Sequence, residues 1–407
     1  MTMQHQGAFA PFSTAMPCAL DAFIASHTFD RPTVVLDTSR VRAQYHRLKA
    51  GLGRAHIHYA VKANPEPKII AALVAEGSGF DAASRGEIEL CLAQGAHPSL
   101  ISFGNTVKRA SDIAYAHSVG VRLFAADSAA ELQKIADHAP HAQVYIRLLV
   151  DVSEADWPLS RKFGCDGPMA LELLTFARAL GLEPVGLSFH VGSQTRRAEM
   201  WAAPLEAISK TWHAAQAQGH TLSLLNIGGG FPAFYGEAIE APTAYAANVM
   251  AQIDRLFETP PRVMAEPGRG LVAESGVIVA EVLLVSKKSA QDTARWVYLD
   301  IGRFSGLAET EGEAIRYQLE TAKDGGALGP CILAGPSCDS ADVMYEKRPV
   351  MLPLNLVAGD RVLIRNTGAY TTTYSSVGFN GFPPLSVKAL DRAGLIAGRA
   401  VEVGRIE

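Results

Sequence analysis

The sequence has no long hydrophobic run. Its apolar runs, such as 277–280 and 282–285, are short, whereas a membrane-spanning helix needs about 18 or more apolar residues. Charge of one sign is also missing: 37 Lys and Arg stand against 41 Asp and Glu, a net charge of −4. Without an extended basic run, the chain lacks the electrostatic footprint of a nucleic-acid or anionic-membrane binder. Cysteine is sparse, at five residues (Cys18, Cys91, Cys165, Cys331, Cys338), and no pair has C-x-x-C spacing. That argues against a zinc site and a disulfide framework, and the expectation is a reducing, cytoplasmic compartment. Residues 1–17 show no basic stretch followed by an apolar core, so no secretory signal is expected there. Neither internal repeats nor low-complexity segments are present.

What is present is a core-rich chain, 48% hydrophobic and 19% charged over 407 residues. A disordered chain would have lower hydrophobicity and higher net charge. A (β/α)8 barrel takes about 250 residues, which leaves on the order of 150 for something else. Short apolar runs predict strands at 56–62, 79–82, 100–104, 122–126, 143–150, 184–190, 223–227 and 262–266. Amphipathic segments predict helices at 65–76, 84–94, 110–118, 128–137, 167–180, 198–218 and 243–257. Ser84 followed by Glu87 reads as a capping box. This alternation is the rhythm of a parallel barrel. After about residue 274 it gives way to strands at 277–287, 295–300, 331–334, 360–364 and 401–404, with few helices between. The expected organisation is an N-terminal segment (1–37) whose strand at 33–37 joins the β domain, an α/β (β/α)8 TIM-like barrel (38–275) and a mainly β C-terminal domain (276–407).

Barrel chemistry lies at the C-terminal ends of the strands. The first strand leads from two apolar residues into Lys62. This is either a desolvated lysine able to form a Schiff base or a solvated lysine at a strand end. His190, followed by Gly192 and Ser193, ends the sixth strand, where it is either a stacking group or a core histidine. Gly228, Gly229 and Gly230 follow the seventh, the usual phosphate position of this fold, although a glycine run alone is usually a turn. Glu266, Gly268 and Arg269 follow the eighth. Together, a lysine, a histidine, a glycine-rich loop, a glutamate and an arginine on one rim make the parts list for pyridoxal 5'-phosphate. Asp151–Gly164 reads as a lid or rim loop.

These residues carry a resemblance. YAVKANP at 59–65, FDAAS at 80–84, SEADWPLSRKFG at 153–164, SFHVGS at 188–193, GGGFP at 228–232, EPGR at 266–269, GPSCDSAD at 335–342 and GAYT at 368–371 resemble the fold-type III pyridoxal-phosphate decarboxylases of basic amino acids. The likeness is greatest to bacterial ornithine decarboxylases of the eukaryotic type. The resemblance implies that Lys62 is the Schiff-base lysine, that His190 stacks on the ring, and that Asp81 and Arg147 support it. It implies that Ser193, Gly229, Gly230, Gly268, Arg269 and Tyr370 bind phosphate, and that Glu266 pairs with the ring nitrogen. It further implies a homodimer with shared active sites, in which Cys338 protonates Cα and Asp339 binds the substrate's distal amine. Taken alone, Cys338 reads as a buried structural thiol and Asp339 as a turn residue.

The resemblance is incomplete at the second substrate aspartate of animal-type enzymes, where this chain has Tyr317-Gln318. The nearby Glu309, Glu311 and Glu313 are expected to be solvated rather than to replace that charge. L-Ornithine to putrescine is the expected reaction. L-Lysine, or both substrates, comes second, and another diamino acid, as in siderophore pathways, third. A racemase is disfavoured because Glu266 stands where those enzymes place an arginine. A catalytically dead, partner-binding homologue is disfavoured because Lys62, His190, Glu266, Arg269 and Cys338 are all kept.

Overall fold

A computed structural model describes residues 19–150, 162–259 and 261–391. Most of the expected rim loop, the expected strand at 401–404 and Cys18 lie outside the described residues. The chain forms two compact units. One comprises Arg42–Ala233 and Ala238–Leu271; the other comprises residues 19–41, Phe234–Glu237 and 272–391. Helix α1 (Ala19–Ser26) and strand β1 (Thr33–Asp37) belong to the second unit, and helix α2 (Thr38–Leu52) leads into the first.

The first unit is the expected barrel. Strand β2 (His56–Ala60) is followed by α3 (Pro67–Ala75), β3 (Gly79–Ala82), α4 (Arg85–Ala93), β4 (Ile101–Phe103) and α5 (Ala110–Ser118). Then come β5 (Leu123–Ala126), α6 (Ala129–His138), β6 (Gln143–Arg147), α7 (Gly167–Ala179), β7 (Glu183–Ser188), α8 (Ala202–Ala217), β8 (Leu224–Asn226), α9 (Pro242–Leu256) and β9 (Arg262–Ala265). All eight strands are parallel, and the pairs His56↔Met264 and Ile57↔Ala265 close the ring. The strands read as short apolar runs because both faces are covered, one by helices and one by the barrel interior. Ala125, Tyr145, Val185, Leu224 and Met264 pack together inside.

Local rules set where elements start and stop. Asp166 caps α7 by accepting the Met169 N–H at 2.9 Å. Ser84 caps α4 by accepting the Glu87 N–H at 3.3 Å, but the capping box is incomplete. The Glu87 carboxylate reaches the N–H of Ala83 (2.6 Å), one residue earlier than a capping box requires. Near the ends of β4 and β5, the buried Lys108 ammonium donates to the carbonyls of Asn105 (2.7 Å) and Ala125 (2.6 Å) and pairs with Glu131 at 3.0 Å, which ties this part of the rim down.

The second unit is built on a sheet. Its strands are β1, β10 (Gly276–Ser286), β11 (Arg295–Leu299), β12 (Leu319–Thr321), β13 (Leu328–Ala334), β14 (Val343–Met344), β15 (Val350–Pro353), β16 (Arg361–Arg365) and β17 (Ser386–Leu390). The main path runs β12-β16-β10-β11-β13-β14. β1 pairs antiparallel with β10 and parallel with β17, and β15 pairs with β13. β12, β14, β15 and β17 escape the sequence reading. The first two are three and two residues long, too short to show a period of two. α1 buries Leu20, Phe23 and Ile24 against Val35, Val277 and Val279. Among the described residues no helix is long and apolar enough to cross a membrane, and no cluster of His, Cys, Asp and Glu is set to hold a metal ion.

Candidate active site

Lys62 does not end a strand. β2 stops at Ala60, and Val61–Ala63 form a 3-10 turn closed by the Asn64 N–H on the Val61 carbonyl and by the Tyr59 hydroxyl on the Asn64 carbonyl at 2.9 Å. The turn buries Val61 and Ala63 and leaves Lys62 exposed between them. β6 likewise stops at Arg147 rather than at 150, and Leu148 then bridges Cys165. Arg147 lies with its guanidinium 5.2 Å from the ring of Phe163.

The charges of this rim act on one another. Asp81, at the third position of β3, is buried. Removal from water raises its pKa, against the opposing pull of Lys62 and Arg147. Removal from water likewise raises Glu266, helped by the Asp81 carboxylate and opposed by Asn226, Lys62 and Arg147. Glu87 is pushed up to about 7 by the same desolvation and by Asp81. His190 is driven well below its ordinary range by burial, then by Arg147 and Lys62. Its ring is therefore neutral, and Nδ1 accepts the Gly192 N–H at 3.0 Å, which leaves the ring proton on Nε2. Lys62, Asp81, Arg147, His190 and Glu266 thus form one electrostatic group at the ends of β2, β3, β6, β7 and β9.

Two residues that act on this group escape the sequence reading. Glu87 reads there as a capping residue only, yet its carboxylate interacts with both Asp81 and Lys62. Asn226, the last residue of β8 and nearly fully buried, donates through Nδ2 to Glu266 at 2.5 Å and accepts the Gly228 N–H through Oδ1 at 2.9 Å. It ties the acid after β9 to the glycine run after β8.

That glycine run has little freedom. Gly228 and Gly230 hold φ of 66° and 103°, values costly for side chains with a Cβ. A Cβ on Gly230 would stand 2.6 Å from Val191 Cγ2 and 2.7 Å from the Gly192 carbonyl. One on Gly229 would stand 2.8 Å from the Glu266 carbonyl and 3.1 Å from His190 Nε2. Beside the run, the buried Arg269 guanidinium donates to Ser193 Oγ from Nε (3.3 Å) and Nη2 (3.2 Å). Gly268 begins the turn that carries Arg269, its carbonyl accepting the Leu271 N–H at 3.0 Å.

The remaining candidates lie in the second unit. Cys338 is exposed, not buried as its residue type alone suggests, and is a free thiol. Its backbone N–H and its Sγ both approach Asn380 Oδ1, at 3.4 and 3.7 Å. Asp339 is exposed, and its carboxylate accepts the Ala341 N–H at 2.8 Å in a tight turn. The buried Asp342 carboxylate anchors this loop by accepting from the Ser337 hydroxyl (2.6 Å) and the Arg303 N–H (2.7 Å). Tyr370 sits at a φ of 59° in the turn after β16. Tyr317 is buried, with its N–H on the Tyr345 hydroxyl at 2.9 Å, and Gln318 beside it is exposed.

The neighbouring glutamates correct the expectation that they are solvated. Only Glu311 is open to water, 3.3 Å from Arg303. Glu309 and Glu313 are buried. Glu313 is a structural hub: it accepts from the N–H groups of Lys347 (2.8 Å) and Arg348 (3.0 Å) and pairs with Arg316 (2.8 Å) and Arg348 Nε (3.0 Å).

Comparison with known proteins gives the chain's relatives. The pyridoxal-binding domain of the pyridoxal-dependent decarboxylases matches residues 38–273. A lysine/ornithine decarboxylase of Selenomonas ruminantium is 34% identical over 86% of this chain and 87% of its own. An ornithine decarboxylase of Schizosaccharomyces pombe is 31% identical over 88% and 83%. The crystal structure of a lysine/ornithine decarboxylase from Vibrio vulnificus, complexed with cadaverine, superposes with a TM-score of 0.81 at 33% identity, over 91% of this chain and 97% of that one. The residues present fit the cofactor. Asp81 Oδ1 is buried without a hydrogen-bond partner, an arrangement that suits a cationic ring close by. The glycine run and the Arg269–Ser193 pair are a donor set that suits an anion such as the cofactor phosphate. Barrel, cofactor site and sequence likeness agree: the chain belongs to the pyridoxal-dependent decarboxylase family.

Proposed function

We propose that this chain decarboxylates L-ornithine to putrescine in the cytoplasm, as a homodimer with shared active sites. The observation that carries the reading is the convergence of Lys62, Asp81, Arg147, His190 and Glu266 on one barrel rim. When bound, pyridoxal phosphate supplies an electron sink for the electron pair left when carbon dioxide departs. Lys62 is its covalent anchor. Glu266, steered by Asn226, would hold the proton on the ring nitrogen, and the neutral His190 would pack on the ring. Asp81 and Arg147 balance the charge around it. Ser193, Gly229, Gly230, Gly268, Arg269 and Tyr370 bind the phosphate.

Cys338 delivers a proton to Cα, and Asp339 binds the distal ammonium, both from a second copy of the chain. A thiol so placed would decide which atom receives the proton. A second reading, L-lysine as an additional substrate, is favoured by the uncharged Gln318 beside Tyr317. The names of the Selenomonas and Vibrio relatives support it too.

Carbon dioxide release from ornithine, lysine, arginine and diaminopimelate, with the D-isomers alongside, tests the substrate. The highest kcat/KM is expected for L-ornithine, with L-lysine next. No release from any of them would sink the reading. Mixing inactive Lys62→Ala dimers with Cys338→Ala dimers tests the shared site. Verified subunit exchange should restore activity through one intact site per hybrid, and absence of recovery would exclude sharing.

A further inference from the structure

The loops after β7 and β8 are joined by a side chain that has no part in the reaction described above. Gln194 follows Ser193 directly. It is 4% exposed, and its backbone holds a φ of 57°, a region that non-glycine residues occupy only when their surroundings impose it. Its side chain supplies that constraint. Gln194 Nε2 donates to the Ala233 carbonyl at 2.6 Å, and Oε1 accepts the Ala233 N–H at 3.0 Å. The pair copies the reciprocal bonding of two paired backbones, with a side chain replacing one of them. Ala233 lies three residues past Gly230, so the bond closes the glycine loop at its far end. At the near end, the buried Thr195 N–H donates to the Gly230 carbonyl at 3.0 Å, and its hydroxyl reaches the Val191 carbonyl at 3.2 Å. The Tyr245 hydroxyl donates to the Thr195 carbonyl at 2.6 Å and accepts from Trp201 Nε1 at 2.8 Å. Ser193 and the glycine run are thus two walls of one cradle, and Gln194 is the cross-brace between them.

We propose that Gln194 is a positioning residue for the cofactor phosphate, which holds Ser193 Oγ and the amides of Gly229 and Gly230 at a fixed spacing. The proposal rests on the phosphate placement given under Proposed function. A phosphate dianion gains most from donors already aimed at it, because reorganising a loop during binding costs affinity. The left-handed backbone at Gln194 points the same way. Without the two bonds to Ala233 a glutamine has no reason to hold it, and the Ser193–Thr195 segment would relax away from the glycines.

The test uses apoprotein titrated with pyridoxal phosphate and, separately, with pyridoxal, which lacks the phosphate. Gln194→Gly keeps the left-handed backbone without strain but removes the brace. Gln194→Asn also tolerates that backbone and stays polar, yet is one methylene too short to reach Ala233, so it serves if the glycine variant does not fold. Both should bind pyridoxal phosphate about tenfold more weakly, the scale of losing hydrogen bonds around a charged ligand, while pyridoxal binding changes by less than about twofold. Equal weakening toward both ligands would reduce Gln194 to a general packing residue, and unchanged binding of both would remove the role outright. Ser193→Ala separates the two levels of the argument. If it too leaves the ratio of the two affinities unchanged, the phosphate placement itself is wrong and the inference falls with it. If it lowers the ratio while the Gln194 variants do not, the inference alone fails.

Discussion

The carboxylates of the barrel rim and Glu313 of the β unit have opposite electrostatics. On the barrel rim, Asp81, Glu87 and Glu266 are removed from water faster than their partners compensate, and all are raised. In the β unit, burial of Glu313 is outweighed by hydrogen bonds from Arg348 and Lys347 and by the charge of Arg316, and it is lowered. The difference separates holding a fold from holding a ligand. Glu313 has its partners in the chain itself. The rim acids are left partly unsatisfied, which is expected where a cationic ring completes the set.

Lys62→Ala strikes the rim hardest. It should abolish turnover and the long-wavelength absorbance of the lysine-bound cofactor. An absorbance spectrum like that of wild type would show that another group anchors the cofactor. Glu266→Gln comes next, with kcat falling about a hundredfold or more while cofactor binding persists, because an amide cannot hold a proton on the ring nitrogen. Near-normal kcat would place Glu266 with the structural acids.

In the apoprotein the raised rim carboxylates bind protons more tightly in the folded state. Their destabilising effect is absent below the unfolded carboxylate values and sets in as pH rises toward about 7, the value of Glu87. Melting of apoprotein should therefore fall across that window, and Glu87→Gln should flatten it. A flat wild-type profile would contradict the raised values. Glu313 has the opposite sign: its contribution is present above the unfolded carboxylate range and lost as pH falls through its lowered folded value. Glu313→Gln should cost about 1–3 kcal/mol near neutrality, toward the lower end because Arg348 is largely exposed. The loss should shrink in acid. Denaturant melts at two pH values decide this, and a pH-independent loss would mean packing rather than charge.

The barrel was legible because its signal repeats: each strand is a short apolar run, and each helix has an amphipathic face. The chemically distinctive rim residues were legible for the same reason, since the rhythm assigns Lys62, His190, Glu266 and Arg269 to strand ends. What escaped depends on neighbours far along the chain. Asn226 meets Glu266 across 40 residues, and Gln194 meets Ala233 across 39. Glu313 sits in a run that reads as solvated, Glu-Thr-Glu-Gly-Glu, and besides the nearby Arg316 its partners Lys347 and Arg348 follow some 35 residues later. Local pattern carries no information about such pairs.

The strand β1 has a consequence in time rather than space. Its partner β17 begins at Ser386, and the Thr38 hydroxyl donates to the Leu390 carbonyl at 3.0 Å, 352 residues away. During synthesis every barrel strand from β2 to β9 has left the ribosome while β1 still waits for this edge. The barrel has its full set of pairing partners first, and the sheet is completed only once Ser386–Leu390 have emerged. A chain stalled before Ser386 would therefore carry a closed barrel and an unpaired strand edge open to another chain.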